Sequence, residues 1–351
     1  MCAESLRAAR QRGLSLVEIM VGMVIALLIG LAASGSARVF TASQRQGMAG
    51  GGMTVNAATS LAAVKGEVAS AGLGFFGDST YLCLTLQLSV NGSLLSNGAA
   101  FVPLRITRNS GTGNDTIDVV YATNIAAGAN VLLQTASTGT NAMLQSIVPA
   151  SVGDAVLLSP QPSAGLGNCL VRTVTAITAP VPPTTGQILT FGNTGLHNQV
   201  NFATAPAFAS GDRMALLGTL RWTRFSLSGT DLTMSRLVSG DSAVIVRNVV
   251  AFRAMYGVAD NATATTPSWV APSGATWGTL APASVDRVRG VRIGMVTRST
   301  QADKPDSAGN CTTTTTLPTL LGQTITPDVT NWTCYRYRVS EVVVPLRNLV
   351  W

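Results

Sequence analysis

Apolar and polar positions divide this chain into three regimes. Residues 14–37, LSLVEIMVGMVIALLIGLAASGSA, are apolar on every side and carry one charge, Glu18. Ile19 to Ala37 is an unbroken run of 19 uncharged residues, about 28 Å of helix against a hydrocarbon core of about 30 Å. Arg38 to Gln46 turns polar, and a glycine cluster follows at Gly47, Gly50, Gly51 and Gly52. Glycine costs about 1 kcal/mol per residue in a helix, so this cluster is expected to break it. From Met53 to Leu73 the pattern becomes one-sided. Met53, Ala57, Leu61, Val64, Val68 and Ala71 recur every three or four residues, the stripe of a helix packed on a sheet.

From Tyr81 the period shortens to that of strands. Tyr81–Val90, Thr116–Ala122, Ala155–Ser159, Leu170–Ile177, Arg213–Leu217, Leu220–Leu227, Ser242–Val250, Val291–Thr297 and Arg336–Val344 are predicted strands, separated by Gly, Asn, Ser, Pro and Thr. Val244–Tyr256 fits either a strand or a helix. Residues 106–115, 160–168, 179–198 and 258–284 are predicted loops. The fold class is α+β: a long N-terminal hydrophobic helix, then a large antiparallel β-rich head over residues 74–351.

Composition narrows the function. Of 351 residues 46% are hydrophobic and 11% charged. Disorder is excluded by that hydrophobicity, and a transporter by the single apolar stretch of spanning length. The net charge is +7, nearly all from scattered arginines such as Arg105, Arg172, Arg221, Arg247, Arg292 and Arg347. No cluster marks a nucleic-acid partner. His197 is the only histidine, which removes His-based triads and two-His metal sites. It is expected at the surface. AGLGFFG contains a GxGxxG spacing at Gly72, Gly74 and Gly77, but it follows a helix rather than a strand, so it reads as a glycine-rich helix exit. Asn114, Asp115 and Asp118 lack the spacing of a calcium loop and read as a turn before a strand. No catalytic site, cofactor or metal is predicted.

Cys2 precedes the apolar run; Cys83, Cys169, Cys311 and Cys334 follow it without any CxxC. Four cysteines outside the cytoplasm suit disulfides, and three pairings are open. Cys311 with Cys334 would close a loop of about two dozen residues, leaving Cys83 with Cys169. Free buried thiols are the rival.

Ahead of the apolar run, MCAESLRAARQRG holds Arg7, Arg10 and Arg12 against Glu4. The positive-inside rule keeps these arginines in the cytoplasm and places everything after Arg38 outside. An ordinary signal peptide, cut near Gly35-Ser36-Ala37, or a plain anchor would explain this much. Neither explains Glu18, a carboxylate costing roughly 2.5–3.5 kcal/mol if held mid-membrane.

GLSLVE, Gly13 to Glu18, resembles the cleavage motif of type IV prepilins, with Leu14 where most members have phenylalanine. The resemblance implies cutting after Gly13 by a prepilin peptidase and N-methylation of the new terminus, Leu14. It divides residues 1–13, a leader, from 14–73, a helix with a transmembrane part (14–37) and an amphipathic part (38–73). The cut leaves 338 residues and lowers the net charge to +5, since three arginines and a glutamate leave. The amine on Leu14 would sit about 6 Å along the helix from Glu18. Between neighbouring subunits the two can pair, offsetting the cost of burying either alone and setting register. Further segments are similar, in order, to PilW-type minor pilins: AGLGFFG; Gly153, Asp154 and Cys169; Trp222–Leu232; Val246–Val258; Val288–Ser299; and Tyr335–Leu349.

That family resemblance implies a minor pilin that primes type IV pilus assembly and sits in or near the fibre tip. Its partners would be the prepilin peptidase, other minor pilins, the major pilin, an inner-membrane assembly platform and, before assembly, the lipid bilayer. It would begin in the bacterial inner membrane, N-terminus cytoplasmic and head periplasmic, and end in the fibre at the cell surface. A minor pseudopilin of a type II secretion system shares the same N-terminus. A secreted binding domain or enzyme behind a signal peptide is the reading from another class. Adhesion or DNA uptake has no residue-level support.

Overall fold

The computed structural model describes residues 15–77, 80–124, 126, 131–180, 186–200, 202, 206–261, 264 and 266–346. The chain divides into two compact units, Met1–Gly52 and Met53–Trp351. In the first, the described residues from Leu16 onward all belong to helix α1 (Leu16–Ala69), which continues into the second. The break expected at Gly47–Gly52 does not occur. Glycine weakens a helix but keeps its N–H donor, so the hydrogen-bond ladder runs through; only proline removes a rung. The boundary between the two units nonetheless falls at Gly52.

Within the second unit α1 behaves as its periodicity requires. Ala57, Leu61, Val64 and Val68 are buried in the main core, while Lys65 and Gly66 on the opposite side are exposed. The helix ends at Ala69, and Gly72 (φ +83°) and Gly74 (φ +93°) turn the chain sharply. A Cβ on Gly72 would meet the Phe76 ring at 2.7 Å, so glycine here allows close packing.

The largest sheet has six strands in the order β4 (Ser93–Ala100), β3 (Cys83–Val90), β10 (Gly167–Thr173), β9 (Ala155–Ser159), β13 (Arg213–Gly218) and β7 (Val131–Leu132). All its pairings are antiparallel except β3 with β10. Its central strands are apolar without alternation because both faces are covered. Ala155, Leu157, Cys169, Val171, Ala215 and Leu217 enter the main core. The residues between them, Val156, Leu158, Leu170, Met214 and Leu216, enter a second core. That second core also takes Ala142, Leu144 and Leu189 from a three-stranded sheet, β11 (Ala176–Thr178), β12 (Gln187–Thr190) and β8 (Asn141–Leu144).

A five-stranded sheet runs β16 (Ser242–Val246), β15 (Asp231–Arg236), β14 (Leu220–Ser228), β6 (Asp115–Ala122) and β5 (Leu104–Arg108). A four-stranded sheet runs β18 (Ser268–Val270), β17 (Val249–Val258), β19 (Val288–Arg298) and β22 (Tyr337–Pro345). Both sheets are antiparallel. Two short hairpins, β1 (Phe76–Gly77) with β2 (Thr80–Tyr81) and β20 (Thr319–Leu320) with β21 (Gln323–Thr324), complete the strands, and α2 (Gly274–Trp277) is one helical turn. The ambiguous stretch Val244–Tyr256 is strand on both sides of Asn248, whose φ of +59° makes the corner. All four predicted loops contain some strand: 106–115 overlaps the end of β5 and the start of β6, 160–168 the start of β10, 179–198 holds β12, and 258–284 holds β18 and α2.

Candidate functional site

The proposed cleavage residues Gly13 and Leu14 lie outside the described residues. Ser15, the first described residue, stands at the N-cap of α1. The Ser15 carbonyl accepts the Ile19 N–H at 3.2 Å, the first rung of the helix, and its hydroxyl accepts the Val17 N–H at 3.3 Å. Glu18 reaches back, its carboxylate accepting the Ser15 N–H at 3.2 Å. This reciprocal S-x-x-E capping box satisfies two otherwise orphaned donors at the helix start. Glu18 thus has a partner in its own chain, a role the sequence analysis did not assign. Only one oxygen, Oε2, is engaged among the described residues.

Behind this cap, Leu16–Ala37 has a mean hydropathy of 2.6 and no buried residue. Leu16 is 74% exposed and Leu31 76%. Such a length and composition suit a bilayer or a bundle of similar helices.

The head accounts for the other candidates. The structure joins Cys83 to Cys169, Cα atoms 5.4 Å apart, and Cys311 to Cys334, 4.8 Å apart. The first pair lies wholly in the main core and ties β3 to β10. The second closes a Thr-rich excursion between β19 and β22. Asp115 and Asp118 are spent on arginines: Arg108 holds Asp115 at 2.9 and 3.1 Å, and Arg224 holds Asp118 at 2.7 and 3.0 Å. The Asn114 side chain accepts the Phe252 N–H. Among the described residues no group of His, Cys, Asp and Glu is arranged to hold a metal ion.

His197 corrects the surface expectation, being 2% exposed. Its Nδ1 lies 2.8 Å from the Ser89 carbonyl, and its backbone bonds to Thr173, Ser89 and Arg172. Burial lowers its pKa. The polar loop that holds it folds inward because Asn198 imitates a strand, pairing with both backbone groups of Thr173.

One polar anchor carried no sequence signal. Glu67, on the α1 turn before its end, accepts hydrogen bonds from Tyr121 at 2.8 Å and Thr223 at 3.1 Å. Burial and the neighbouring Glu67 carboxylate push Tyr121 up to about 12. Only the tertiary fold brings these residues together, from 54 and 156 positions apart.

The Type IV Pilus-assembly protein W family matches residues 216–348, and the Prokaryotic N-terminal methylation motif matches residues 8–34. Among solved structures, a type IV-like pilin from Thermus thermophilus aligns over 85% of this chain and 97% of its own, with a TM-score of 0.35 and 8% identity. No curated protein sequence matches the chain. The chain is PilW-like, and the family it resembles is one of structural pilins rather than enzymes.

Proposed function

We propose that this PilW-like chain is a minor pilin that helps to prime type IV pilus assembly and is built into or near the fibre tip. It is made as an inner-membrane precursor with its N-terminus in the cytoplasm and its head in the periplasm. A prepilin peptidase cuts between Gly13 and Leu14, and the new Leu14 amine is methylated. Other minor pilins, the major pilin and an inner-membrane assembly platform then receive it.

One observation carries this reading. A prepilin methylation motif over residues 8–34, lying on the fully exposed apolar stretch Leu16–Ala37, and a PilW match over 216–348 occur in one chain. Glu18 supplies the chemistry. Its local bond to Ser15 caps the helix before assembly, and its other oxygen takes the ammonium of a neighbour's Leu14. Leaving either ion buried alone costs several kcal/mol, so the pairing selects one register.

The test is N-terminal sequencing of the mature protein from sheared fibres, with N-methylated Leu14 expected. Gly13→Leu should leave the 351-residue precursor uncut; mature-sized protein from that variant would remove the assigned site. Glu18→Ala should be cut normally yet be missing from fibres, and its presence there at ordinary levels would end the register role.

A further inference from the structure

The sheets of the head expose edges of very different kinds. An open edge is a row of unpaired N–H and C=O groups, and proteins blunt it with bulges, short strands or cover. Strand β4 is bulged twice against β3. Strand β16 is bulged once against β15, and α1 covers it, Ser60 donating to the Ile245 carbonyl at 3.0 Å. The edge strands β5, β7, β8, β11 and β18 have five residues or fewer. Strand β22 has nine, in unbroken register with β19 from Arg298↔Tyr337 to Gly290↔Pro345. No strand pairs with its outer side among the described residues.

The side chains along β22 fit an added strand. On one face Val339 (38% exposed) and Val343 (51%) flank Glu341. The Glu341 charge is already spent: Arg292 donates to it at 2.6 Å, and the Leu321 N–H at 3.0 Å. Arg338 stands exposed on the other face. At the C-terminal end of the strand, Pro345 forms one wall of a groove of about 640 Å³ with Ala69, Leu73 and Ala122. Lys65 lines the same groove and makes no ion pair among the described residues.

We infer that the outer edge of β22 and the groove beside Pro345 form one docking surface for an extended segment from the head of a different pilin. That segment places β-branched side chains against Val339 and Val343 and a carboxylate against Lys65. The inference rests on the proposed role as a fibre subunit. A second copy of this chain fits less well. Pairing β22 with itself so that Val339 meets Val343 sets Tyr337 of the second copy opposite Pro345 with the exposed Arg338 beside it, bringing a cation to the end of the strand where Lys65 asks for a carboxylate.

The experiment uses full-length protein in its own fibres, with the photo-crosslinker benzoylphenylalanine replacing Val343. Peptide mapping of the crosslink should identify an extended segment of another pilin carrying an Asp or Glu nearby. Lys65→Glu should lower the crosslink yield about tenfold, the scale of 1.4 kcal/mol, while Lys65→Arg keeps it. Near-UV circular dichroism of Lys65→Glu checks that the head remains folded. A crosslink to this chain's own copies or to a helical segment overturns the inference. So does no crosslink in fibres that contain the chain beginning at Leu14. Fibres lacking that mature chain defeat the fibre-subunit reading itself, and the inference falls with it.

Discussion

Leu16–Ala37 and Met53–Ala69 belong to one continuous helix and are built on opposite plans. The first is apolar around its whole circumference and wholly exposed. The second is apolar on one stripe, and from Ala57 onward that stripe is buried: Ala57, Val64 and Val68 have no accessible surface. Each matches a different surrounding. An all-round apolar helix asks for lipid or other helices on every side; a striped one asks for a single sheet. The amount of hydrophobic surface indicates that a helix needs cover, while its periodicity indicates from which direction the cover comes.

Putting the same charge into both stretches should affect them very differently. Val64→Asp buries an unpaired carboxylate where Val64 has no exposure, a loss of roughly 3–5 kcal/mol. The head should then melt far below the parent. Val24→Asp, at a site 58% exposed, should leave the melting of the head unchanged and weaken only membrane retention. Thermal melts in detergent followed by near-UV circular dichroism separate the two. Equal melting of Val64→Asp and the parent would remove the packing account of the second stretch.

Glu67 offers a smaller and more selective lesion. Glu67→Ala removes the acceptor of two hydrogen bonds, from Tyr121 and Thr223, for a cost of roughly 1–3 kcal/mol. It should also let the Tyr121 phenol fall from about 12 towards its ordinary 10. A raised phenol pKa stabilises the fold fully below the unfolded value, and that contribution is lost as pH rises towards 12. The parent should therefore lose stability between pH 10 and 12, and Glu67→Ala should lose less over that interval. Denaturation midpoints at pH 9 and 11, beside an ultraviolet titration of the tyrosines, measure both effects. Identical pH slopes would show that Tyr121 is not coupled to Glu67.

The two plans were legible from the chain because each is written in local periodicity. The same holds for the central strands, whose unbroken apolar runs at Ala155–Ser159 and Arg213–Leu217 match the doubly covered sheet. The capping box is also written locally, as Ser15-x-x-Glu18, although a carboxylate at the mouth of an apolar helix equally suits a partner in another subunit. Other features depended on distant neighbours. Strand β4, SLLSNGAA, has too little apolar content to declare itself, and pairing with β3 makes it a strand. His197 sits in polar sequence and is buried because Asn198 docks its loop onto Thr173. Counting cysteines leaves three pairings open; the parallel contact of β3 with β10 brings Cys83 to Cys169. The Lys65 groove is assembled from α1, β6 and β22 and has no continuous sequence to announce it.

The smallest expected effect concerns the junction between the two stretches. Gly51 is exposed, and a Cβ added there meets nothing within 4 Å. Alanine is favoured over glycine by about 1 kcal/mol in an exposed helix interior, so Gly51→Ala should stabilise the helix locally by that amount. A gain of this size lowers the population of locally opened helix about fivefold. Limited proteolysis of the full chain in detergent should show cleavage within residues 47–52 slowed by that factor. Melting of the head should stay the same, because Gly51 precedes Met53, where the second unit begins. A raised head melting temperature would mean that the two stretches fold as one cooperative body. Unchanged cleavage would mean that local helix opening at the glycines does not limit attack there. Slower cleavage with an unmoved head melt is the outcome that keeps the two stretches energetically separate along one continuous helix.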